Sequence, residues 1–195
     1  SPASPPSGGT KCPPHASVTS LCGTGSSTHD CQAYENGRWV SSGPEADCTG
    51  DYSYLVSDQN SVWQNHPTKQ LVADCGETAF IDGVCLSGEN QDCLVGNMWQ
   101  HTVASCQPTK PNPFLSDSQP EWTNAHYMQS GMGNMRNSVS VGIAVCKPGY
   151  VATAVCNGAR EITDCKRWGH LPDTLPNSYV YMKCAKPRRP QKQLT

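Results

Sequence analysis

Cysteine has the most chemistry to offer in this chain: a thiolate attacks carbonyls, holds zinc or closes a disulfide. The 195 residues include twelve cysteines in three groups, Cys12-Cys22-Cys31-Cys48, Cys75-Cys85-Cys93-Cys106 and Cys146-Cys156-Cys165-Cys184. In each group the second cysteine lies ten positions after the first, and the third follows eight or nine later. Zinc knuckles draw on CxxC pairs, and none occurs; intervals of seven to nine residues suit strands better. An even count predicts six bridges formed in an oxidising compartment, two within each group. Four cysteines admit three pairings, and spacing leaves that choice open. With every thiol oxidised, no cysteine nucleophile remains.

Other catalytic candidates are sparse. There is no GxSxG, HExxH or P-loop, and His15, His29, His66, His101, His126 and His170 are scattered through the three groups. Asp30, Asp92 and Asp164 each stand directly before a third cysteine. A carboxylate repeated in that way reads as a turn or cap rather than a catalytic acid. Asp58 and Asp117 also fit turns, since neither has the spaced carboxylates of a calcium loop. The expectation is no enzyme and no cofactor. A net charge of −2 gives no long-range pull on nucleic acid, and no apolar run reaches the length of a membrane span.

The elements that carry these cysteines repeat as well. Val18, Ile81 and Ala152 sit six after a first cysteine, and Leu21, Val84 and Val155 sit one before a second. Successive groups start 63 and 71 residues apart, so the chain reads as one unit written three times. Short alternating stretches (Ala16-Val18-Ser20, Phe80-Asp82-Val84, Tyr150-Ala152-Ala154) lie between Gly, Pro, Asn and Asp. Asn177 to Cys184 alternates too, with Tyr179, Tyr181 and Lys183 on one face and Val180, Met182 and Cys184 on the other. The fold class expected is all-β: a disulfide-stapled, three-repeat β-prism-like body with pseudo-threefold symmetry. Units this long suit a trefoil less well. Residues 1–11 read as a Pro/Ser/Gly linker, 12–185 as one domain of three repeats (12–48, 49–106 and 107–185), and 186–195 as a basic, disordered tail. Cysteines without a leader at residue 1 read as a piece of a longer secreted protein.

One segment breaks the repetition. Ser57-Asp58 matches Ser116-Asp117, and Trp63 and Trp122 each follow their Asp by five. Cys75 then comes 12 residues after Trp63, whereas Cys146 comes 24 after Trp122. The extra dozen lies within residues 123–137, which hold Tyr127, Met128, Met132, Met135 and Arg136 and no acidic residue. Threefold packing does not account for residues that occur once, and long loops are usually functional or disordered. Trp122, Tyr127, Met128, Met132 and Met135 are therefore candidates to enter a bilayer surface, with His126 and Arg136 candidates for headgroup contact. Each buried Met or aromatic contributes roughly 1.5–3 kcal/mol, and each nearby cation about 1 kcal/mol at an anionic surface. The alternatives are a loop folded back as a lid and a protein contact. Trp122 also aligns with Trp63, which favours a shared structural role for it. Trp39, Trp99 and Trp168 recur between third and fourth cysteines and are expected in the core; exposed, they would stack on sugars.

Three four-cysteine β units after a Pro/Ser/Gly linker, with one Trp/Met loop, resemble the C-terminal APCβ domain of apicomplexan perforin-like proteins, most closely the Toxoplasma type used in parasite egress. The resemblance covers about residues 11–186 and rests on the cysteine groups and the loop from Trp122 to Met135. It implies a domain that follows a pore-forming MACPF domain in a cytolytic protein secreted from an organelle. It also implies that the loop dips into target membranes, with phosphatidylserine and phosphatidylethanolamine as headgroups. The parent protein would oligomerise through the pore-forming domain, which is absent here. An egg-coat β-prism protein of the vitelline outer layer is a competing relative. A carbohydrate-binding β-prism lectin is the alternative function, and a coat or adhesive module a third.

Overall fold

Short runs rich in Val, Ile, Thr, Phe and Tyr, punctuated by Pro, Gly and Asn, extend as strands rather than coil as helices. The structure, a computed structural model, describes residues 9–24, 34–35, 38–39, 45–64, 71–86, 93–95, 98–115, 121–123, 126–127, 141–158, 163–168, 171–175, 177–178 and 180–189. The first unit contributes β1 (Thr10–Lys11), β2 (Ser17–Thr24), β3 (Tyr34–Glu35), β4 (Arg38–Trp39) and β5 (Glu45–Thr49). Next come β6 (Val62–Gln64), β7 (Val72–Asp74), β8 (Ala79–Leu86), β9 (Cys93–Val95), β10 (Met98–Gln100) and β11 (Thr102–Pro108). The last third holds β12 (Glu121–Thr123), β13 (His126–Tyr127), β14 (Val141–Val145), β15 (Val151–Asn157), the short helix α1 (Asp164–Trp168) and β16 (Val180–Ala185). The all-β expectation holds.

The described strands make three four-stranded sheets, β13-β14-β2-β5, β1-β8-β11-β6 and β12-β16-β15-β7, and the two-stranded ribbons β3-β4 and β10-β9. Every described pairing is antiparallel. In each large sheet a long strand pairs with the strand that carries the fourth cysteine: Val18 lies opposite Cys48, Ile81 opposite Cys106 and Ala152 opposite Cys184. The disulfides Cys12–Cys48, Cys75–Cys106 and Cys146–Cys184 close loops of 36, 31 and 38 residues. Inside the last two lie Cys85–Cys93 and Cys156–Cys165, with separations of 8 and 9. First joins fourth in all three groups and second joins third in the last two, which settles for those bridges the pairing that spacing left open. Cys31 lies outside the described residues.

The strand leading into each first cysteine leaves its own unit. β1 pairs with β8, β7 with β15, and β14 with β2. The Cys12 N–H donates to the Asp82 carbonyl, Cys75 to Thr153 and Cys146 to Thr19, each at 2.8 Å. Each acceptor stands seven residues past a first cysteine. Unit one thus gives a strand to unit two, two to three, and three back to one.

A bulge makes room for that exchange. The ladder between each long strand and its hairpin partner skips Thr19, Asp82 or Thr153, the same residues whose carbonyls receive the cysteine N–H groups. An extra residue flips the side-chain alternation. Val18 and Leu21, Ile81 and Val84, and Ala152 and Val155 therefore share one core although they stand three apart. The alternation expected through Phe80-Asp82-Val84 is corrected on this point. Phe80 and Asp82 keep one face, the Phe80 ring 5.9 Å from that of Tyr52, while Val84 joins the core. In β16 no bulge intervenes, and Val180, Met182 and Cys184 face the core as expected while Tyr181 turns away.

The main core draws on all three sheets, and β2, β8 and β15 touch each other pairwise. It is lined largely by Ala, Val and half-cystine, so three long strands approach closely without large side chains between them. On the outer side of β8, Gly83 admits β1 and Trp63: a Cβ there would stand 2.9 Å from the Thr10 carbonyl and 3.0 Å from the Trp63 ring. Two smaller clusters cover outer faces, Trp63 over Cys85–Cys93 with Val103, and Trp122 over Cys156–Cys165 with Tyr181.

Loop length orders the bridges energetically: about 3–4 kcal/mol for a long loop and about 2.5 kcal/mol for a short one in the chain-entropy account. Replacing Cys75 and Cys106 together by Ala is expected to cost more stability, read by urea unfolding, than replacing Cys85 and Cys93. The reverse order would show that strain or packing outweighs chain entropy.

Candidate functional site

The segment expected to meet membranes begins in the body, at Trp122. Trp122, in β12, lies opposite Lys183, as Trp63 in β6 lies opposite Ser105. Both partners directly precede a fourth cysteine, so the two tryptophans hold equivalent positions. The Trp122 indole is half-buried against the cluster around Cys156–Cys165. That packing commits it to the body.

Past Trp122, the junction into the third unit (Cys106 to Cys146, the third junction below) departs from the junction into the second (Cys48 to Cys75). His126 and Tyr127 form β13, which pairs with β14, His126 opposite Ile143 and Tyr127 opposite Gly142. β13 extends the β14-β2-β5 sheet by one edge strand. Because Val141 pairs with Thr24, the β13–β14 connection leaves at the finishing end of β2. Met128, Met132, Met135 and Arg136 lie outside the described residues, as do the side chains of His126 and Tyr127. Asp30 and Asp92 and the side chains of Trp39, Trp99 and Trp168 also lie outside them. Asp164 is described: buried at the first position of α1, where a carboxylate suits the helix N-terminus.

A second feature has no counterpart in the sequence reading. Beyond each fourth cysteine the chain runs on as a connector, and the three connectors zip together. Ser57 N–H donates to the Pro108 carbonyl at 3.1 Å and Lys110 N–H to Leu55 at 2.8 Å. Two further bonds repeat that pattern one unit on, Leu115 N–H to Lys186 at 2.9 Å and Arg188 N–H to Pro113 at 2.7 Å. Phe114 and Pro187 form an isolated bridge, and Pro113 and Pro187 are buried. Residues 186–189, expected as the start of a disordered tail, are therefore stitched into the body by backbone hydrogen bonds. Residues 190–195 lie outside the described residues.

The zipped connectors leave an open cleft of about 700 Å³. Lys110, Lys186, Arg188 and Arg189 line it, over a floor of Tyr54, Leu55, Leu115 and three prolines. Among the described residues, no acidic side chain lines it. Arg188 Nε donates to the Asn112 carbonyl at 3.3 Å, which fixes the guanidinium stem against the far wall. None of the four cations pairs with a described carboxylate; the ion pair among described residues joins Lys11 to Asp82, which also accepts from Ser61. A neighbouring depression shares Lys110 and Pro111 and holds His15 and Asp58. Close by, burial pushes the Tyr52 hydroxyl pKa up, and the neighbouring Tyr54 adds to it. The Ser53 N–H lowers that of Asp51.

No described group of three His, Cys, Asp or Glu side chains is arranged to hold a metal, and no described helix is long and apolar enough to cross a bilayer. The five disulfides among the described residues suggest an extracellular or secreted protein. Compared with family models, curated proteins and solved structures, the chain matches none. Trp122→Ala is expected to lower the unfolding free energy by about 2–4 kcal/mol, as loss of a packed aromatic does. A change under about 0.5 kcal/mol, the size of a neutral surface substitution, would contradict the packing role.

Proposed function

We propose that the chain is a membrane-lipid-binding module that targets a secreted, perforin-like pore-forming protein to its membrane. One observation carries this reading: the extra residues of the third junction open between two antiparallel strands, β13 and β14, at an edge of a sheet. A hairpin there holds the two ends of an apolar loop side by side, which limits the entropy lost when its tip docks. Tyr127, Met128, Met132 and Met135 enter the headgroup boundary, while His126 and Arg136 meet phosphate oxygens of phosphatidylserine and phosphatidylethanolamine. Four apolar side chains at roughly 1.5–3 kcal/mol each, less the cost of ordering the loop, give reversible attachment rather than permanent insertion. Trp122 supports the hairpin from the body instead of entering the lipid.

A β-prism-like arrangement of the three sheets, release from a secretory organelle and oligomerisation of a parent through its pore-forming domain belong to the same proposal. No step in it needs catalysis. Sedimentation with liposomes of phosphatidylserine and phosphatidylethanolamine tests it. The chain is expected to pellet with the vesicles, and the variant Tyr127→Asp/Met128→Asp/Met132→Asp, with an unchanged melting temperature, to stay in solution. Failure of the unaltered chain to pellet, or equal pelleting of both, would overturn the proposal.

A further inference from the structure

The cleft between the connectors stands apart from the hairpin. β2 starts at Ser17, opposite Thr49, and finishes at Thr24, opposite Val141. The connectors follow Thr49, Pro108 and Ala185, which pair with residues at the starts of β2, β8 and β15. The β13–β14 connection leaves at the finish of β2. Over the 8 residues of that strand, at a rise of roughly 3.3 Å from one residue to the next, its two ends stand roughly 23 Å apart. A bilayer surface that receives the hairpin does not also fill the cleft.

We propose that the cleft is a binding site for a sulfated polysaccharide chain, independent of the lipid reading. Lys110, Lys186, Arg188 and Arg189 converge on one space in a chain whose net charge is −2, so general basicity does not explain them. Like charges held together repel, and a cleft lined by one sign of charge concentrates the opposite sign within it. The positions are fixed. Lys110 and Arg188 are anchored by their backbone N–H groups and Lys186 by its carbonyl. A guanidinium matches the flat face of sulfate oxygens with paired hydrogen bonds, and a lysine adds a point charge.

The floor decides between anions. A single phosphate leaves most of a 700 Å³ cleft empty, whereas that size lies within the range of sites that hold a ligand of several rings. Tyr54, Leu55, Leu115 and the prolines offer apolar surface to the C–H faces of sugar rings while the rim cations take the sulfates. An acidic peptide of Asp and Glu gains nothing from that floor. Asp58, in the neighbouring depression, sets a repulsive limit on one side.

The test uses the full chain and a size-defined heparin oligosaccharide, followed by calorimetry across a salt series. Binding is expected to weaken steeply with salt, and the double variant Lys110→Glu/Arg188→Glu to weaken it about tenfold or more. A second variant, Lys186→Glu/Arg189→Glu, alters exposed side chains only and is expected to do the same with an unchanged melting temperature. Both are expected to pellet with phosphatidylserine liposomes as the unaltered chain does. Absence of heparin binding, or binding indifferent to both reversals, would overturn the proposal. So would poly-glutamate or chemically desulfated heparin competing equally, or a loss of liposome pelleting in the reversed variants. Because the hairpin variant leaves the cleft intact, the two proposals fail separately.

Discussion

Three backbone hydrogen bonds, from Cys12 to Asp82, Cys75 to Thr153 and Cys146 to Thr19, tie the units of this protein into a ring. Each bond sits where an exchanged strand enters a foreign sheet, and each relies on a bulge that turns one carbonyl outward. The exchange makes the units interdependent. Without β1, β8 has a bare edge; without β14, β2 loses the strand that separates it from β13. Main-chain bonding of this kind asks little of side chains, which fits a core of Ala, Val and half-cystine with only two Phe in the whole chain. The long disulfides add to it by restricting the unfolded chain where apolar area is scarce.

The same architecture leaves two kinds of surface unspent. At the finishing end of β2 the third junction has spare length, and β13 turns it into a hairpin stem. Beyond the starts of the long strands the connectors must cross from one unit to the next, and their mutual hydrogen bonds collect cations from distant parts of the sequence. Lys110 and Arg188 occupy the same place in successive units, four past a fourth cysteine, whereas Tyr52 takes that place in the first unit. The hairpin therefore exploits a departure from the repeat, whereas the cleft draws two of its cations from a position that the second and third units share.

Much of this was legible in the sequence because it was written more than once. The cysteine groups, the apolar positions led by Val18, Ile81 and Ala152, and the matching of Trp63 with Trp122 all survive in the structure as equivalent positions. The bulges were not legible. A skipped residue leaves no composition signal, and the clue was the three-residue spacing between Val18 and Leu21, which puts both on one face of a helix but on opposite faces of a regular strand. Strand exchange was hidden for a related reason, since pairing partners lie in different units and local pattern is silent about them. The cleft escaped because residues 186–189 read as tail by charge and proline alone; their partners, Pro113 and Leu115, lie some 70 residues earlier. Cys12, Cys75 and Cys146 looked like anchors of disulfides only, yet their amides close the ring.

Amide hydrogen exchange at Cys12, Cys75 and Cys146, read residue by residue by NMR, tests that ring most directly. If exchange of strands welds the units into one cooperative body, all three amides exchange only through global unfolding, with opening free energies within about 1 kcal/mol of each other. Were one of them to open far more readily while the other two stayed protected, the ring would be broken at that joint and the account of a mutually dependent body would be contradicted.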